Sequence, residues 1–287
     1  MTAARVGVVT VAYESAESLD AFLGSIPAAV SEPVDVVVVE NASPGADRAR
    51  AVAERHGARF LQLAENRGYG GGVNAGVQAL GAVEFVLVSN PDTVLGPGSL
   101  DVLLARGRSR PDAGSLGPLV RDAGGAVYPS ARRLPSLRMG VGHTLFVNLW
   151  PMNPWTRAYR QAAADIRERE AGWLSGSCVL VRRDVFDELG GFDESYFMYF
   201  EDVDLGARIT RSGRINLYVP DAEVTHSGAH STRRSASRMR AAHHDSAYRY
   251  LSRRYTAWYL WPLRAALRVG LGIRKRLPVG RGGESDA

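Results

Sequence analysis

Two adjacent carboxylates, with a third nearby, crowd the start of a predicted helix. Glu201, Asp202 and Asp204 directly follow the bulky run 196–200, YFMYF. Acidic residues in a first helical turn commonly do no more than complement the helix dipole, and Asp204 can pair with Arg208 one turn later. A carboxylate held beside aromatic side chains is also suited to act as a general base. These residues alone leave both interpretations of Glu201 and Asp202 open.

A further carboxylate follows an apolar strand. Asp92 lies in the segment Ser89–Thr93, directly after the predicted strand Phe85–Val88. In an open α/β sheet the carboxyl end of a central strand faces the ligand crevice, where one Asp and a diphosphate can together hold Mg²⁺ or Mn²⁺. The same Asn-Pro-Asp run also forms ordinary turns. His226 could join Asp92 as a metal ligand, although a single histidine is more often simply hydrogen-bonded.

The segment 65–76, ENRGYGGGVNAG, has four glycines in five positions. Between a strand and a helix, such glycines leave backbone amides open to a phosphate, and we expect this function. The spacing Gly70-x-Gly72-x-x-Ala75 is also a degenerate dinucleotide fingerprint, which would indicate an oxidoreductase. The structural alternative is that the small residues let the helix pack closely on the sheet.

The elements that must position these residues alternate between strands and helices. Short β-branched runs of continuous hydrophobicity indicate strands buried on both faces, and helix-sized segments lie between them. This order is typical of βαβ units. The predicted fold is therefore α/β, a Rossmann-like, open, mostly parallel sheet with flanking helices. The strands are Val6–Ala12, Val34–Val39, Phe60–Leu63 and Phe85–Val88, and the helices are Ser18–Val30, Ala46–His56 and Gly72–Leu80.

Beyond residue 100 the pattern is less regular. Four prolines and two tryptophans break the periodicity of residues 125–172, which we interpret as a loop-rich insertion or flap. Regular elements return as a strand over Trp173–Arg182, a helix over Asp202–Arg211 and a last strand over Ile215–Val219. The predicted organisation is a body of residues 1–230, which includes the insertion, and a C-terminal helical tail of residues 231–287.

Composition and charge set further limits. The chain has 287 residues, of which 45% are hydrophobic and 23% charged, as in a folded globular protein. A single cysteine and the absence of a bilayer-length apolar run favour a cytoplasmic protein. Residues 231–287 carry 13 basic and 3 acidic side chains. We expect this tail to contact an anionic membrane surface through residues 243–277, and we expect no nucleic acid because no reader motif accompanies the charge.

The order and spacing of these motifs resemble one known family. The sequence contains VTVAY at 9–13, ENAS at 40–43, ENRGYGGGVNAG at 65–76, SNPD at 89–92, WLSGSCVLVRRDVFDELGGFDESYF at 173–197 and FEDVDL at 200–205. Together they resemble the family 2 inverting glycosyltransferases with the GT-A fold. Within that family they look most like bacterial rhamnosyltransferases that act on N-acetylglucosaminyl-diphospho-polyprenol. The resemblance covers residues 5–230.

The resemblance implies an activity and a role for each matched position. It implies transfer of L-rhamnose from dTDP-L-rhamnose to a lipid-linked acceptor, with Asp202 as the catalytic base and Glu201 beside it. The acceptor sugar would lie on Trp173 and Gly176. The positions implied for donor binding are Thr10, Ala12, Tyr13, Glu14, Glu40, Asn66, Gly70, Asn74, Asn90 and Asp92.

The same resemblance implies a divalent cation, Mg²⁺ or Mn²⁺, on Asp92 and His226. A lipid-linked acceptor would make the enzyme peripheral at the inner face of the cell membrane, in agreement with the basic tail. The alternatives are a UDP- or GDP-sugar donor, a dinucleotide-dependent oxidoreductase and a non-catalytic sugar-nucleotide-binding module. The oxidoreductase is disfavoured because the glycine segment does not follow the first strand and Lys275 is the only lysine.

Overall fold

The computed structural model describes residues 5–136, 166–228 and 236–276. Residues 137–165, which make up most of the predicted insertion, lie outside the described residues. The predicted junction between body and tail also lies outside them. The division into residues 1–230 and 231–287 therefore stays a prediction.

Twelve strands occur within the described ranges. They are β1 Val6–Ala12, β2 Val34–Glu40, β3 Arg59–Gln62, β4 Phe85–Ser89, β5 Thr93–Leu95, β6 Ala113–Arg121, β7 Val127–Tyr128, β8 Ala131–Arg132, β9 Arg169–Ala171, β10 Trp173–Leu174, β11 Cys178–Arg182 and β12 Ile215–His226. Ten form one sheet, with the path β3-β2-β1-β4-β11-β6-β12-β5 and with β7 and β9 paired off that path. Strands β1 to β4 are mutually parallel, β11 runs antiparallel to β4 and β6, and β12 runs parallel to β6.

Helices cover both faces of this sheet. One core contains Val6 and Val8 of β1 with apolar residues of the helices that span residues 16–29, 46–55 and 99–109. The opposite core contains Val9 and Val11 with apolar residues of the helices that span residues 68–79, 183–188 and 201–211. The alternation along β1 follows from the two-residue repeat of a strand. The helices are α1 Ala16–Ala29, α2 Ala46–Arg55, α3 Gly68–Ala79, α4 Ser99–Ser109, α5 Arg183–Glu188, α6 Glu201–Arg211, α7 Ala236–Arg254 and α8 Trp261–Arg276.

This architecture confirms the predicted α/β fold with an open, mostly parallel sheet, flanking helices and a C-terminal helical extension. The first four predicted strands are β1 to β4 to within about one residue at each end. Residues Val6 to Ala12 are all buried, as expected of a central strand covered on both faces. Within the described residues, no helix is both long and apolar enough to cross a membrane.

The glycine-rich segment differs from the prediction. Helix α3 begins at Gly68 rather than at Gly72, so the glycines form its first turn and are buried instead of lining an open loop. A Cβ on Gly72 would lie 2.8 Å from Val11 Cγ1, and one on Gly76 would lie 2.5 Å from Val9 Cγ1. These contacts support the structural alternative, because the missing side chains let α3 lie directly on β1. The expected phosphate function of the segment stays a prediction.

Two further predictions need correction. The predicted strand Trp173–Arg182 is two strands, β10 and β11, separated by the turn Ser175–Ser177. The last body strand does not end at Val219, since β12 continues to His226 after a register shift against β6 between Val219 and Glu223. Both differences matter for function, because the turn and the end of β12 carry polar groups to the same edge of the sheet.

The packing of α3 predicts a strong asymmetry between two glycines. We expect Gly76→Ala to lower the free energy of unfolding by about 1–3 kcal/mol, because its methyl group would overlap Val9 and Val39. Gly81→Ala is the matched control, since nothing lies within 4 Å of its added Cβ. Chemical denaturation measures both, and equal stability of the two variants would contradict the close-packing explanation.

Candidate active site

Several buried polar atoms lie where β1 and β2 end. Thr10 and Glu40 are buried on these strands, and Ser43 follows β2. Glu40 Oε1 accepts a hydrogen bond from the Ser43 amide at 2.7 Å. Among the described residues, Glu40 Oε2, Thr10 Oγ1 and Ser43 Oγ have no hydrogen-bond partner. Burial raises the pKa of Glu40. Buried polar atoms without partners are unusual, and a bound ligand would satisfy them.

The next predicted positions lie near the same end of β1 and β2. Ala12 is buried opposite Glu40 in the pairing of β1 with β2, whereas Tyr13 is exposed just after β1. The charge of Glu14 contributes to the raised pKa of Glu40, so the two carboxyl groups are close. Glu14 and Ala42 have left-handed backbone, with φ of 51° and 59°. Such conformations in non-glycine residues cluster at ligand-binding sites.

The predicted donor residues around α3 have contacts within the protein. The side-chain oxygen of Asn66 accepts a bond from the Gly68 amide at 2.9 Å. Asn74 has its amide bonded to both the N–H and the carbonyl of Phe192, each at 2.9 Å. Gly70 is buried against Phe192. The side-chain amide of Asn74 is therefore engaged within the protein, and the donor contacts expected of Gly70 and Asn74 stay predictions.

Asn41 is a residue of this region that the sequence analysis did not assign. Its side-chain N–H donates to the Gly68 carbonyl at 2.9 Å, and its side-chain oxygen accepts from the Arg67 amide at 3.0 Å. These bonds fix the start of α3 to the end of β2. The ENAS run was the available signal, because an Asn after a buried strand commonly bonds to nearby backbone.

Asp92 and His226 meet at the predicted position. Asp92 Oδ1 lies 3.0 Å from His226 Nε2, and Asn90 Nδ2 lies 3.2 Å from the same nitrogen. The antiparallel pairing of β5 with β12 produces this contact, since it places His226 opposite Thr93. No group of three or more candidate metal ligands occurs among the described residues. One carboxylate and one imidazole fit a partly open Mg²⁺ or Mn²⁺ site that a diphosphate and water would complete.

Glu201 and Asp202 are the most strongly perturbed acids of the site. Asp202 Oδ2 accepts a hydrogen bond from the Gly176 amide at 3.0 Å, and its Oδ1 accepts one from the Val203 amide at 2.8 Å. Glu201 is buried, and its Oε2 has no hydrogen-bond partner among the described residues. Burial, reinforced by the neighbouring Asp202, raises the pKa of Glu201 to about 8. A carboxyl group with this pKa is mostly protonated at neutral pH.

Burial also raises the pKa of Asp202, against the lowering effect of its two amide donors and of Arg132. Arg132 was not predicted as a site residue because it lies in an irregular part of the sequence. Asp204, by contrast, forms the expected ion pair with Arg208 at 2.6 Å and has a structural role.

The turn Ser175–Ser177 contacts both Asp202 and the segment that carries Asp92. The Ser177 carbonyl accepts bonds from the Asn90 amide at 2.9 Å and from Thr93 Oγ1 at 3.1 Å. The neighbouring Gly176 donates its amide to Asp202 and accepts a bond from the Tyr69 hydroxyl at 2.6 Å. The Asn90–Asp92 segment and Asp202 therefore lie on two sides of one turn.

Trp173 packs against α6, the helix that carries Asp202. Its indole N–H donates to the Arg133 carbonyl at 3.2 Å, and the Arg132 guanidinium lies 5.6 Å from its ring centroid. Its Cα and Cβ pack against Gly206 of α6, where an added Cβ would lie 2.6 Å from Trp173 Cβ. The structure thus places Trp173 beside the helix that carries Asp202, and its acceptor role stays a prediction.

Comparison with known proteins points to one family. A family model described as "Glycosyltransferase like family 2" matches residues 4–244. The N-acetylglucosaminyl-diphospho-decaprenol L-rhamnosyltransferase of Mycobacterium tuberculosis (strain CDC 1551 / Oshkosh) is 46% identical over 282 residues, which is 95% of this chain and 92% of that protein. The rhamnosyltransferase WbbL of Escherichia coli (strain K12) is 31% identical over 173 residues, which is 60% of this chain and 62% of that protein.

Solved structures resemble the fold. The mannosyltransferase PcManGT from Pyrobaculum calidifontis, in complex with GDP-Man and Mn²⁺, has a TM-score of 0.61 at 17% identity and covers 97% of this chain and 78% of that one. GalNAc-T7 with UDP, GalNAc and Mn²⁺ has a TM-score of 0.57 at 16% identity and covers 79% of this chain and 43% of that one. At these identities the likeness concerns the fold.

The raised pKa of Glu201 predicts a specific pH dependence of stability. Between about pH 4.5 and pH 8 the unfolded chain ionises this carboxyl while the folded protein keeps it protonated, so the free energy of unfolding should fall as pH rises. Glu201→Gln cannot ionise and should lose this part of the dependence. The matched control is Glu65→Gln, at an exposed position. Denaturant unfolding at several pH values checks this, and parallel profiles for wild type and Glu201→Gln would contradict it.

Proposed function

This chain belongs to glycosyltransferase-like family 2, and from that premise we propose that it transfers L-rhamnose from dTDP-L-rhamnose to N-acetylglucosaminyl-diphospho-polyprenol with inversion at the anomeric carbon. It is a glycosyltransferase with the GT-A fold. The donor sugar and the lipid-linked acceptor rest on the relative that shares 46% of its residues and nearly the whole of its length.

The observation that carries the proposal is the single turn between Asp202 and the Asn90–Asp92 segment. Through Gly176 and Ser177 this turn holds a carboxylate on one side and the metal-ligand candidates on the other. Glycosyl transfer needs both functions close together. A base must take the proton of the acceptor hydroxyl while the charge that develops on the departing nucleoside diphosphate is neutralised.

In the proposed mechanism Asp202 accepts the proton of the attacking hydroxyl. Its two amide hydrogen bonds fix the direction of the carboxylate, and protonated Glu201 adds no second negative charge beside it. The hydroxyl oxygen forms its bond to the anomeric carbon as the bond to the diphosphate oxygen breaks. One displacement of this kind inverts the anomeric centre.

We place the donor's nucleoside at Thr10, Glu40 and Ser43, where three buried oxygens have no hydrogen-bond partner among the described residues. Tyr13 and Glu14 would border the base, and Asn66 and Asn90 would lie towards the diphosphate. Asp92 and His226 would hold Mg²⁺ or Mn²⁺. When bound, that cation would stabilise the negative charge of the leaving diphosphate. The dinucleotide-dependent oxidoreductase is excluded as the alternative because the chain belongs to a glycosyltransferase family.

The C-terminal tail supports an acceptor carried by a membrane. Trp258, next to Tyr259 between α7 and α8, is 81% exposed, and Trp261, the first residue of α8, is 63% exposed. Arg264 and Arg268 follow on α8. Exposed tryptophans beside arginines are suited to the headgroup region of an anionic bilayer. The proposal therefore places the protein peripherally at the cytoplasmic face of the membrane.

Replacing the proposed base tests the function directly. We expect the wild-type chain to transfer rhamnose from dTDP-L-rhamnose, and Asp202→Asn to lower kcat by at least about 100-fold because no base remains. Thermal stabilisation by dTDP, and its increase with Mn²⁺, should persist in the variant because Asp92 and His226 are intact. Retained turnover would contradict the base assignment. Preference for a UDP- or GDP-sugar would contradict the donor assignment.

Removing the exposed tryptophans tests the membrane contact. We expect the double variant Trp258→Ser/Trp261→Ser to bind phosphatidylglycerol vesicles about tenfold more weakly, because two interfacial anchors are lost. Ile166→Ser is the matched control, since Ile166 is an apolar side chain that is 55% exposed away from the tail. Vesicle co-sedimentation measures the effect, and equal binding by the wild type and the double variant would contradict it.

A further inference from the structure

The segment Tyr196–Phe200, which leads into the catalytic acids, lies against the start of α3. The Phe197 carbonyl accepts a hydrogen bond from the Tyr69 amide at 3.0 Å. A Cβ on Gly68 would lie 2.1 Å from that carbonyl oxygen, so no side chain fits between them. Tyr196 is fully buried below this contact. One side of the segment is therefore fixed by the body.

Helix α7 of the tail holds the segment from another direction. The hydroxyl of Ser246, a buried side chain, donates to the Met198 carbonyl at 2.9 Å. The ring of His243 contacts the rings of Tyr199 and Phe200 edge-on, with centroid distances of 5.4 and 5.5 Å. One turn after Ser246, the ring centroid of the buried Tyr250 lies 5.7 Å from that of Phe200.

A further contact ties α7 to the body near the start of this segment. Arg253 of α7 donates a hydrogen bond to the carboxylate of Asp193.

The residues that α7 contacts have a conformation that needs support. Tyr199 and Phe200 have φ values of 67° and 69°, in the left-handed region that side chains rarely adopt. Each such residue costs roughly 1–3 kcal/mol and persists only where its surroundings hold it. The two precede Glu201 and Asp202 directly, and the Phe200 carbonyl accepts the Asp204 amide at 2.8 Å in the first turn of α6. Their backbone angles therefore set the direction in which the side chains of Glu201 and Asp202 point from the backbone.

We propose that α7 is a positioning element of the active site, in which His243 and Ser246 hold the left-handed pair Tyr199–Phe200 and thereby aim the carboxylate of Asp202. The tail would then serve catalysis as well as membrane contact. This inference rests on the proposed function, because Asp202 is the base only if the chain performs the transfer. Neither His243 nor Ser246 needs to touch a substrate for this role.

The test compares two serines and two substitutions of one histidine. Ser246→Ala removes the bond to Met198, whereas the control Ser252→Ala removes only a bond within α7, to the Arg249 carbonyl. His243→Ala removes the ring contacts with Tyr199 and Phe200, whereas His243→Phe keeps an aromatic ring there. His243 is exposed on its outer side, so we expect these variants to fold. For each variant, kcat, the KM for the donor and hydrogen–deuterium exchange of residues 196–203 are measured.

We expect Ser246→Ala and His243→Ala to lower kcat by about tenfold with an unchanged donor KM, because a misdirected base slows chemistry without weakening donor binding. Amide exchange across residues 196–203 should become faster in these two variants only. His243→Phe and Ser252→Ala should resemble the wild type in all three measurements. Unchanged exchange in Ser246→Ala and His243→Ala would overturn the proposal, and so would faster exchange with an unchanged kcat. A wild-type chain that transfers no sugar would instead contradict the proposed function, since the exchange measurement needs no substrate.

Discussion

The burial of two adjacent carboxyl groups is the constraint on which the rest of the site depends. Glu201 and Asp202 cannot both be ionised in a protein interior without a large cost in free energy. The surrounding structure therefore has to favour the ionised form of one carboxyl group and the protonated form of the other. Two amide donors stabilise the charge of Asp202, whereas Glu201 has a side-chain oxygen without a partner and keeps its proton. Asp202 is also the less buried of the two residues. Its greater exposure and the hydrogen bonds to both of its carboxylate oxygens together favour its ionised form.

The topology of the sheet explains how the Gly176 amide comes to lie beside Asp202. Strand β11 is inserted antiparallel between β4 and β6, so the turn that precedes it lies at the carboxyl end of β4. Cys178, the first residue of β11, pairs with Ser89, the last residue of β4. The backbone of residues 176 and 177 consequently lies beside the segment that carries Asp92. A parallel strand at this place would have brought its opposite end to the site.

Local sequence patterns predicted the fold well where a strand or helix has the same hydrophobic pattern along its whole length. Strand β1 was predicted with its observed bounds because it is apolar apart from Thr10 and is buried on both faces. Strand β6 was missed although it is central, because Gly114, Gly117 and Pro118 argue against a strand and are accommodated only by tight contacts with other elements. The family resemblance, which is confirmed, implied roles for Asp92, His226 and Asp202, and these roles stay predictions. Long-range contacts such as those of Asn74 and Arg132 depend on pairings that no single segment encodes.

The single cysteine has a practical consequence for spectroscopy. Cys178 is buried beside Ser89, and burial raises the pKa of its thiol to about 12. A thiol with so little thiolate at neutral pH reacts slowly with maleimides and nitroxide reagents. A cysteine introduced on the exposed side of α8 can therefore be labelled selectively in the otherwise unaltered chain. The distance from such a label to a second probe in the body would then report the movement of the tail while Cys178 stays in place.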